Sequence, residues 1–213
     1  MPTIESYKVP NKSRTLFLRV AKGHFATSHS HINYYIDVTT QKARLSEASA
    51  VARELVSYYN TSTIVDAILC LDGTEVIGTC LAEQLTSENF INMNSHQTIY
   101  IVTPEHTTGS QLIFRENILP MISGKNVLIL AASVTTGYTA KAAVEAVQYY
   151  GGVVAGICSI FASVEECAGF PVRAIFDTGD LGDYASYPSH ECPMCKKAEK
   201  IDALVNSFGF AKI

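Results

Sequence analysis

The sequence predicts an α/β protein built on a parallel sheet with helices on its faces. Three observations predict it. Short, continuously apolar runs recur along the chain, as in strands buried on both faces. Amphipathic stretches with helical spacing lie between them, and polar or Gly/Pro turns punctuate the two kinds of segment. Strand and helix in alternation are the signature of crossover connections and a parallel sheet.

The elements follow in order. Residues 1–37 carry mixed signals and end in the β-like cluster Tyr34-Tyr35-Ile36-Asp37. The spacing predicts a helix over 41–59, because Leu45, Ala48, Val51, Ala52, Leu55, Val56 and Tyr59 recur at three and four, with Thr39 or Thr40 as N-cap. A buried strand is predicted over 64–71, a helix over 78–86 and a second strand over 98–102. The stretch 103–125, 23 residues with Pro104, Thr107-Thr108-Gly109-Ser110 and Pro120, reads as a functional lid or a disordered segment. Strands over 126–133, 153–161 and 172–176 complete the sheet, with a helix over 139–150 closed by Gly151-Gly152. Beyond 177 the chain is rich in Gly, Asp, Tyr, Ser and Pro, and a last helix is predicted near 194–206.

At 213 residues the chain is long enough for one domain with an elaboration at ~150 residues per domain. Charged residues make up 17% and apolar ones 47%, against an average charged share of about 25%. This excludes disorder and predicts a buried self-association face, hence a homodimer. The formal charge of −4, with no block of five like charges, gives no electrostatic support for nucleic acid. A small-molecule partner is the expectation. The apolar runs 126–134 and 153–162 are shorter than the ~20 residues that span a bilayer, and the first residues lack the pattern of a signal peptide, so a cytoplasmic protein with no membrane partner is expected. Cys70, Cys80, Cys158 and Cys167 sit in apolar segments as small core residues, whereas Cys192 and Cys195 are paired by spacing.

The segment Val127-Leu-Ile-Leu-Ala-Ala-Ser-Val-Thr-Thr-Gly-Tyr-Thr139 runs from a buried strand through Thr135, Thr136, Gly137, Tyr138 and Thr139 into a helix. Such a turn aims backbone N–H groups and hydroxyls at one spot, where the helix N-terminus adds partial positive charge. That is a phosphate cradle; the same residues would also serve a plainly N-capped helix. The absence of Gly-x-x-x-x-Gly-Lys-Ser/Thr argues against a nucleoside-triphosphate loop.

This segment resembles the phosphoribosyl-pyrophosphate (PRPP) signature of type I phosphoribosyltransferases, in which a strand leads to two acidic residues, two variable positions and Thr-Thr-Gly-x-Thr. Gly73-Thr-Glu-Val-Ile-Gly78 is similar in glycine spacing to the family's pyrophosphate loop, which implies roles for Asp72, Gly73, Thr74 and Gly78. Ser28-His-Ser-His-Ile-Asn-Tyr-Tyr-Ile-Asp37 resembles the orotate phosphoribosyltransferase pattern Ser-Gly-x-His-Ser-x-Tyr-Tyr-x-Asp, implying that Ser28, His31, Tyr34 and Tyr35 face the base. The stretch 103–125 falls where the family keeps its catalytic loop, so the resemblance implies catalytic roles for His106 and Arg115. It also implies a Rossmann-like sheet over 41–178, an N-terminal hood over 1–40, a C-terminal helical extension over 179–213, and Mg²⁺ if the protein is catalytically active.

Departures from the pattern are as informative. Ala131 and Ala132 stand at the two acidic positions, where family carboxylates flank the ribose of Mg²⁺-bound PRPP. Losing one transition-state contact commonly costs on the order of 10²- to 10³-fold in rate. The loop offers Arg115 as its one arginine and no lysine before Lys125, thin provision for departing pyrophosphate. The orotate-type Asp-Arg is Ala162-Ser163, the Gly of the Ser-Gly pattern is His29, and Glu75 adds like charge. The expectation is a protein resembling the orotate enzyme of pyrimidine biosynthesis with weakened or lost phosphoribosyl transfer. The alternative is a sensor or regulatory partner that binds a nucleotide 5′-phosphate without turnover.

His190-Glu-Cys192-Pro-Met-Cys195 places three soft ligands within six residues, its Cys-x-x-Cys being the usual half of a tetrahedral Zn²⁺ site and a fourth ligand coming from Cys167, a carboxylate or a symmetry mate, with a reduced thiol pair as the plainer reading. A Cys-Pro-x-Cys near the C-terminus is also similar to some bacterial orotate phosphoribosyltransferases. His24, His29 and His31 match no standard metal spacing and read as polar loop residues, and Asp177, Asp180 and Asp183 read as an acidic loop.

Overall fold

The computed structural model describes residues 5–87, 93–95, 98–107 and 111–213. Thr108, Gly109 and Ser110 of the predicted lid lie outside the described residues. The chain begins with β1 (Ser6–Pro10), β2 (Phe17–Ala26) and β3 (His31–Asp37), followed by α1 (Thr39–Ala43) and α2 (Leu45–Val56). Next come β4 (Ala67–Cys70), α3 (Glu75–Thr86), β5 (Tyr100–Val102), and the short strands β6 (Glu105–His106) and β7 (Leu112–Ile113). After a 3-10 turn at Leu119–Met121 stand β8 (Asn126–Val134), α4 (Tyr138–Tyr149), β9 (Val153–Ala162), β10 (Glu166–Cys167) and β11 (Phe170–Asp177). The tail holds α5 (Thr178–Leu181), β12 (Ser186–Tyr187), α6 (Pro193–Lys196), β13 (Ala203–Asn206) and β14 (Gly209–Lys212). Two compact units divide the chain: Met1–Thr40 with Phe176–Ile213, and Gln41–Ile175.

The larger unit is a sheet of order β10-β11-β9-β8-β4-β5. β5, β4, β8 and β9 run parallel, with Ile68 opposite both Ile101 and Leu128, and Leu130 opposite Cys158. The continuous apolar runs are explained by cover on both faces. Leu69, Ile129 and Ile157 are fully buried, as are Ile68, Leu128 and Leu130 one residue away in the alternation. α2 packs on α3, and α4 lies on β8 and β9. Tyr59 fastens the α2 side, its hydroxyl donating to the Ile157 carbonyl at 3.0 Å.

Three sequence expectations are corrected. The helix over 41–59 breaks at Arg44, whose extended backbone (φ −98°, ψ 117°) separates α1 from α2. The stretch 103–125 is not one open lid, because Leu112, Phe114 and Ile122 are buried in the core. Turn-forming residues around these three apolar anchors hid them. The helix over 194–206 shrinks to one turn of α6, and 203–206 is a strand with Ala203 and Val205 inward and Leu204 and Asn206 outward. Period two, over four residues, had no length to declare itself.

The smaller unit is a second sheet of order β12-β3-β2-β13-β14, with β1 also on β2. Segments from the two ends of the chain share it: β13 pairs in parallel with β2 (Ala203 opposite Phe25), and β12 pairs with β3 (Tyr187 opposite His31). Phe25, Tyr35, Ala203 and Val205 form its core. The acidic loop has structural uses. Asp177 and Asp180 form a reciprocal cap on α5, and Asp183 accepts from Lys22 and from the Tyr34 hydroxyl. Among the described residues no helix is long and apolar enough to cross a membrane.

Candidate functional site

In open α/β sheets ligands bind outside the carboxyl ends of the parallel strands. β8 delivers Thr135 and Thr136 into a turn at Gly137, whose left-handed backbone (φ 77°, ψ −3°) starts α4. Only glycine adopts this conformation freely. A Cβ here would also stand 3.2 Å from Cys167 Sγ. The carbonyls of the turn are tied back into the protein: Val134 accepts from the Ser163 N–H at 2.9 Å, Thr135 from Ser163 Oγ at 3.0 Å, and Gly137 from the Lys141 N–H at 2.8 Å. The first-turn N–H groups of a helix have no partner within it, so this end presents donors. Thr136, Tyr138 and Thr139 are exposed beside them, and Thr135 and Gly137 are half-buried.

The end of β4 supplies the neighbouring loop. Asp72 (φ 58°) and Gly73 (φ 77°) are consecutive left-handed residues. Lys42, from α1, donates from Nζ to the Asp72 carbonyl at 2.6 Å. The Asp72 carboxyl accepts from the Ala132 N–H, with Lys42 and His106 within electrostatic reach. Burial raises its pKa above the ordinary value of 3.8, against the opposing pull of Lys42, the Ala132 N–H and His106. Lys42 was missed by sequence reasoning, since nothing distinguishes one helical lysine from another before folding.

The raised Asp72 pKa has a stability sign. The folded state holds the proton more tightly than the unfolded chain, so its contribution is fully present below the unfolded value near 3.8 and falls as pH rises through the raised folded value. Asp72→Asn is therefore expected to flatten this acid slope and to raise stability at neutral pH, read by denaturant midpoints across pH 3–8. An unchanged slope would mean that the carboxylate is solvated.

The other predicted residues divide. Thr74 is fully buried and its hydroxyl donates to the Leu71 and Leu130 carbonyls, at 2.8 and 3.1 Å, so it braces the loop from inside. Gly78 is buried in α3, where a Cβ would overlap Cys70 Sγ, so it permits helix–strand packing. Ala131 and Ala132 are both buried, at 1% and 4% exposure. His106 is exposed on β6, and Arg115 is engaged by Glu105 in a two-pronged pair (Nε–Oε1 2.9 Å, Nη2–Oε2 2.6 Å). That pair holds the Glu105 carboxyl below its ordinary range.

In the smaller unit the residues expected to face the base have other commitments. The Tyr34 hydroxyl donates to Asp183 and to the Leu181 carbonyl, Tyr35 packs on Phe25 and Phe210, and His31 joins His24. Ser28 alone of the four is exposed. The predicted metal ligands divide as well. Cys192 and Cys195 gather with His24 and His31, all four ligand atoms lying within 4.8 Å of one another. His190 is exposed and pairs with Glu191 at 3.4 Å.

No family model matches the sequence, and no curated protein does. Solved structures do match. The chain is similar to orotate phosphoribosyltransferase of Mycobacterium tuberculosis, at TM-score 0.54 and 19% identity over 78% of this chain and 93% of that one. Adenine phosphoribosyltransferase of Leishmania donovani gives 0.52 and 16% over 82% and 86%. UMP synthase of Leishmania donovani gives 0.54 and 18%, over 76% of this chain but 34% of that longer one.

Proposed function

We propose that this chain, which has the phosphoribosyltransferase-type α/β fold, binds the 5-phosphate of PRPP or of a nucleotide at the turn Thr135–Thr139 and transfers phosphoribosyl groups only slowly. The observation that carries the reading is the left-handed Gly137 turn at the carboxyl end of β8, with its carbonyls tied back and α4 opening behind it. Phosphates are held at such helix starts by backbone donors and the helix dipole.

The reduced rate rests on the same neighbourhood. Two buried methyl groups stand where the family pattern has carboxylates, and two lost contacts at 10²- to 10³-fold each leave little transfer chemistry. Arg115 is already paired with Glu105, so a leaving pyrophosphate would compete with that carboxylate for it. Mg²⁺ brought by PRPP would need one or two carboxylates besides the substrate phosphates. Asp72 would hold it, and the ion would supply charge neutralisation at the phosphates. The buried Tyr34 and Tyr35 give the orotate pattern little to recognise a base with, so the reading extends to the phosphate and not to the base.

A nucleotide sensor that binds without turnover is the second reading, favoured by the paired Arg115 and the alanines. Thermal stabilisation separates the outcomes. Ligand at 100 Kd should add about 2.7 kcal/mol. PRPP, ribose 5-phosphate and nucleoside monophosphates are expected to stabilise similarly, with little added by Mg²⁺ and slow pyrophosphate release. Strong Mg²⁺-PRPP stabilisation with rapid pyrophosphate release on adding orotate or adenine would sink the reduced-rate claim. No stabilisation by any of them would sink the cradle itself.

A further inference from the structure

We propose that His24 Nε2, His31 Nδ1, Cys192 Sγ and Cys195 Sγ bind one structural Zn²⁺ that ties the tail of the chain to the β2–β3 hairpin. A tetrahedral centre with Zn–N near 2.05 Å and Zn–S near 2.3 Å requires N···S separations of about 3.6 Å and an N···N separation of about 3.3 Å. The cluster has Cys192 Sγ and Cys195 Sγ each 3.6 Å from His24 Nε2, Cys195 Sγ 3.2 Å from His31 Nδ1, and the two ring nitrogens 3.0 Å apart. Four of the six edges of a ligand tetrahedron are therefore in place within a few tenths of an ångström, and the other two are no longer than 4.8 Å.

Hydrogen bonding alone does not account for the arrangement. His24 Nδ1 lies 3.0 Å from the Glu199 carbonyl, which only accepts, so the ring proton sits on Nδ1. His24 Nε2 is then a single lone pair facing three neighbours, the His31 nitrogen and both sulfurs. One cation satisfies all four atoms at once. The Nδ1–H to carbonyl bond is also the usual outer support of a zinc-bound imidazole, fixing tautomer and ring orientation.

The fold aims the ligands on purpose-built backbone. The β2–β3 register shifts between Lys22 and Phe25, and His24 sits within that irregularity. Asp202 holds the bulge, accepting from the His24 N–H at 2.8 Å and donating its own N–H to the His24 carbonyl at 2.8 Å. Gly23 is needed there, since a Cβ would stand 2.7 Å from Asp202 Oδ2. Cys192, His24 and His31 are 0%, 3% and 9% exposed, whereas Cys195 is exposed. Binding releases the two thiol protons to solvent, so Zn²⁺, two thiolates and two neutral imidazoles sum to zero charge, which suits burial. Four protein ligands leave no open position, which marks the ion as structural and not catalytic.

Elemental analysis of the full chain purified under reducing conditions should find one zinc per chain. Co²⁺ in its place should give the visible d–d bands and the thiolate charge-transfer band of a tetrahedral S₂N₂ centre. Cys195→Ser should weaken zinc binding by more than the ~10- to 100-fold that loss of an outer partner costs, whereas His190→Ala should leave it unchanged. Chelation should lower the thermal midpoint of the wild type and not that of Cys195→Ser. Absence of zinc together with absence of the cobalt bands overturns the proposal, and so does an intact mass showing a Cys192–Cys195 disulfide in the metal-free chain. Equal zinc loss in His190→Ala would overturn the ligand set. Should Cys195→Ser fail to fold, the cobalt spectrum of the wild type still decides.

Discussion

Gly137→Val is expected to abolish stabilisation by ribose 5-phosphate and to cost about 2–4 kcal/mol of fold stability. The left-handed φ of 77° is disfavoured for any side chain and most for a β-branched one, and the new Cβ would press on Cys167 Sγ at 3.2 Å. Relief requires rotation of the peptide planes that aim the first N–H groups of α4, so binding should fall with stability. Gly169→Val is the control. Gly169 shares the left-handed φ (82°) but has nothing within 4 Å of its Cβ position, so it should lose some stability and keep ligand binding. If Gly137→Val still binds ribose 5-phosphate with wild-type affinity, the cradle is elsewhere.

Ala131→Asp should be the more damaging of the two acid restorations, by about 3–5 kcal/mol, the range for an uncompensated buried charge. Ala131 is 1% exposed in a core cluster with Leu71, Val102 and Phe114. Ala132 projects from the opposite face of β8, and its N–H already meets the Asp72 carboxyl. Ala132→Asp should therefore cost less and add a second carboxylate near Asp72. About a tenfold gain in Mg²⁺-dependent PRPP affinity, or ~1.4 kcal/mol, is expected from it. Titration calorimetry with denaturant midpoints checks both variants. Unchanged stability of Ala131→Asp would mean that this face of β8 opens to water, and no gain in Ala132→Asp would count against matching 131 and 132 to the acidic pair.

What the sequence made legible is what local pattern encodes. Buried parallel strands declare themselves as unbroken apolar runs, and Thr-Thr-Gly-Tyr-Thr marks the strand-to-helix turn because a left-handed residue there demands glycine. What stayed hidden depends on contacts far apart in the chain. His24 and Cys192 are separated by 168 positions, so no spacing rule joins them, whereas local spacing links Cys192 only with the near His190. The same holds for the parallel pairing of β13 with β2, although the hairpin that β13 makes with β14 is local. Tyr34 and Tyr35 fit a base-facing pattern in sequence, yet burial and the Asp183 partner decide where their hydroxyl and ring go.

The central claim is that the turn after β8 holds a phosphate, and an amide NMR titration of the ¹⁵N-labelled chain with ribose 5-phosphate tests it most directly. Saturable shifts concentrated in the N–H groups of 135–140, suppressed in Gly137→Val, are the expected result. Saturable shifts centred on another part of the chain, or none at millimolar ligand, would contradict it.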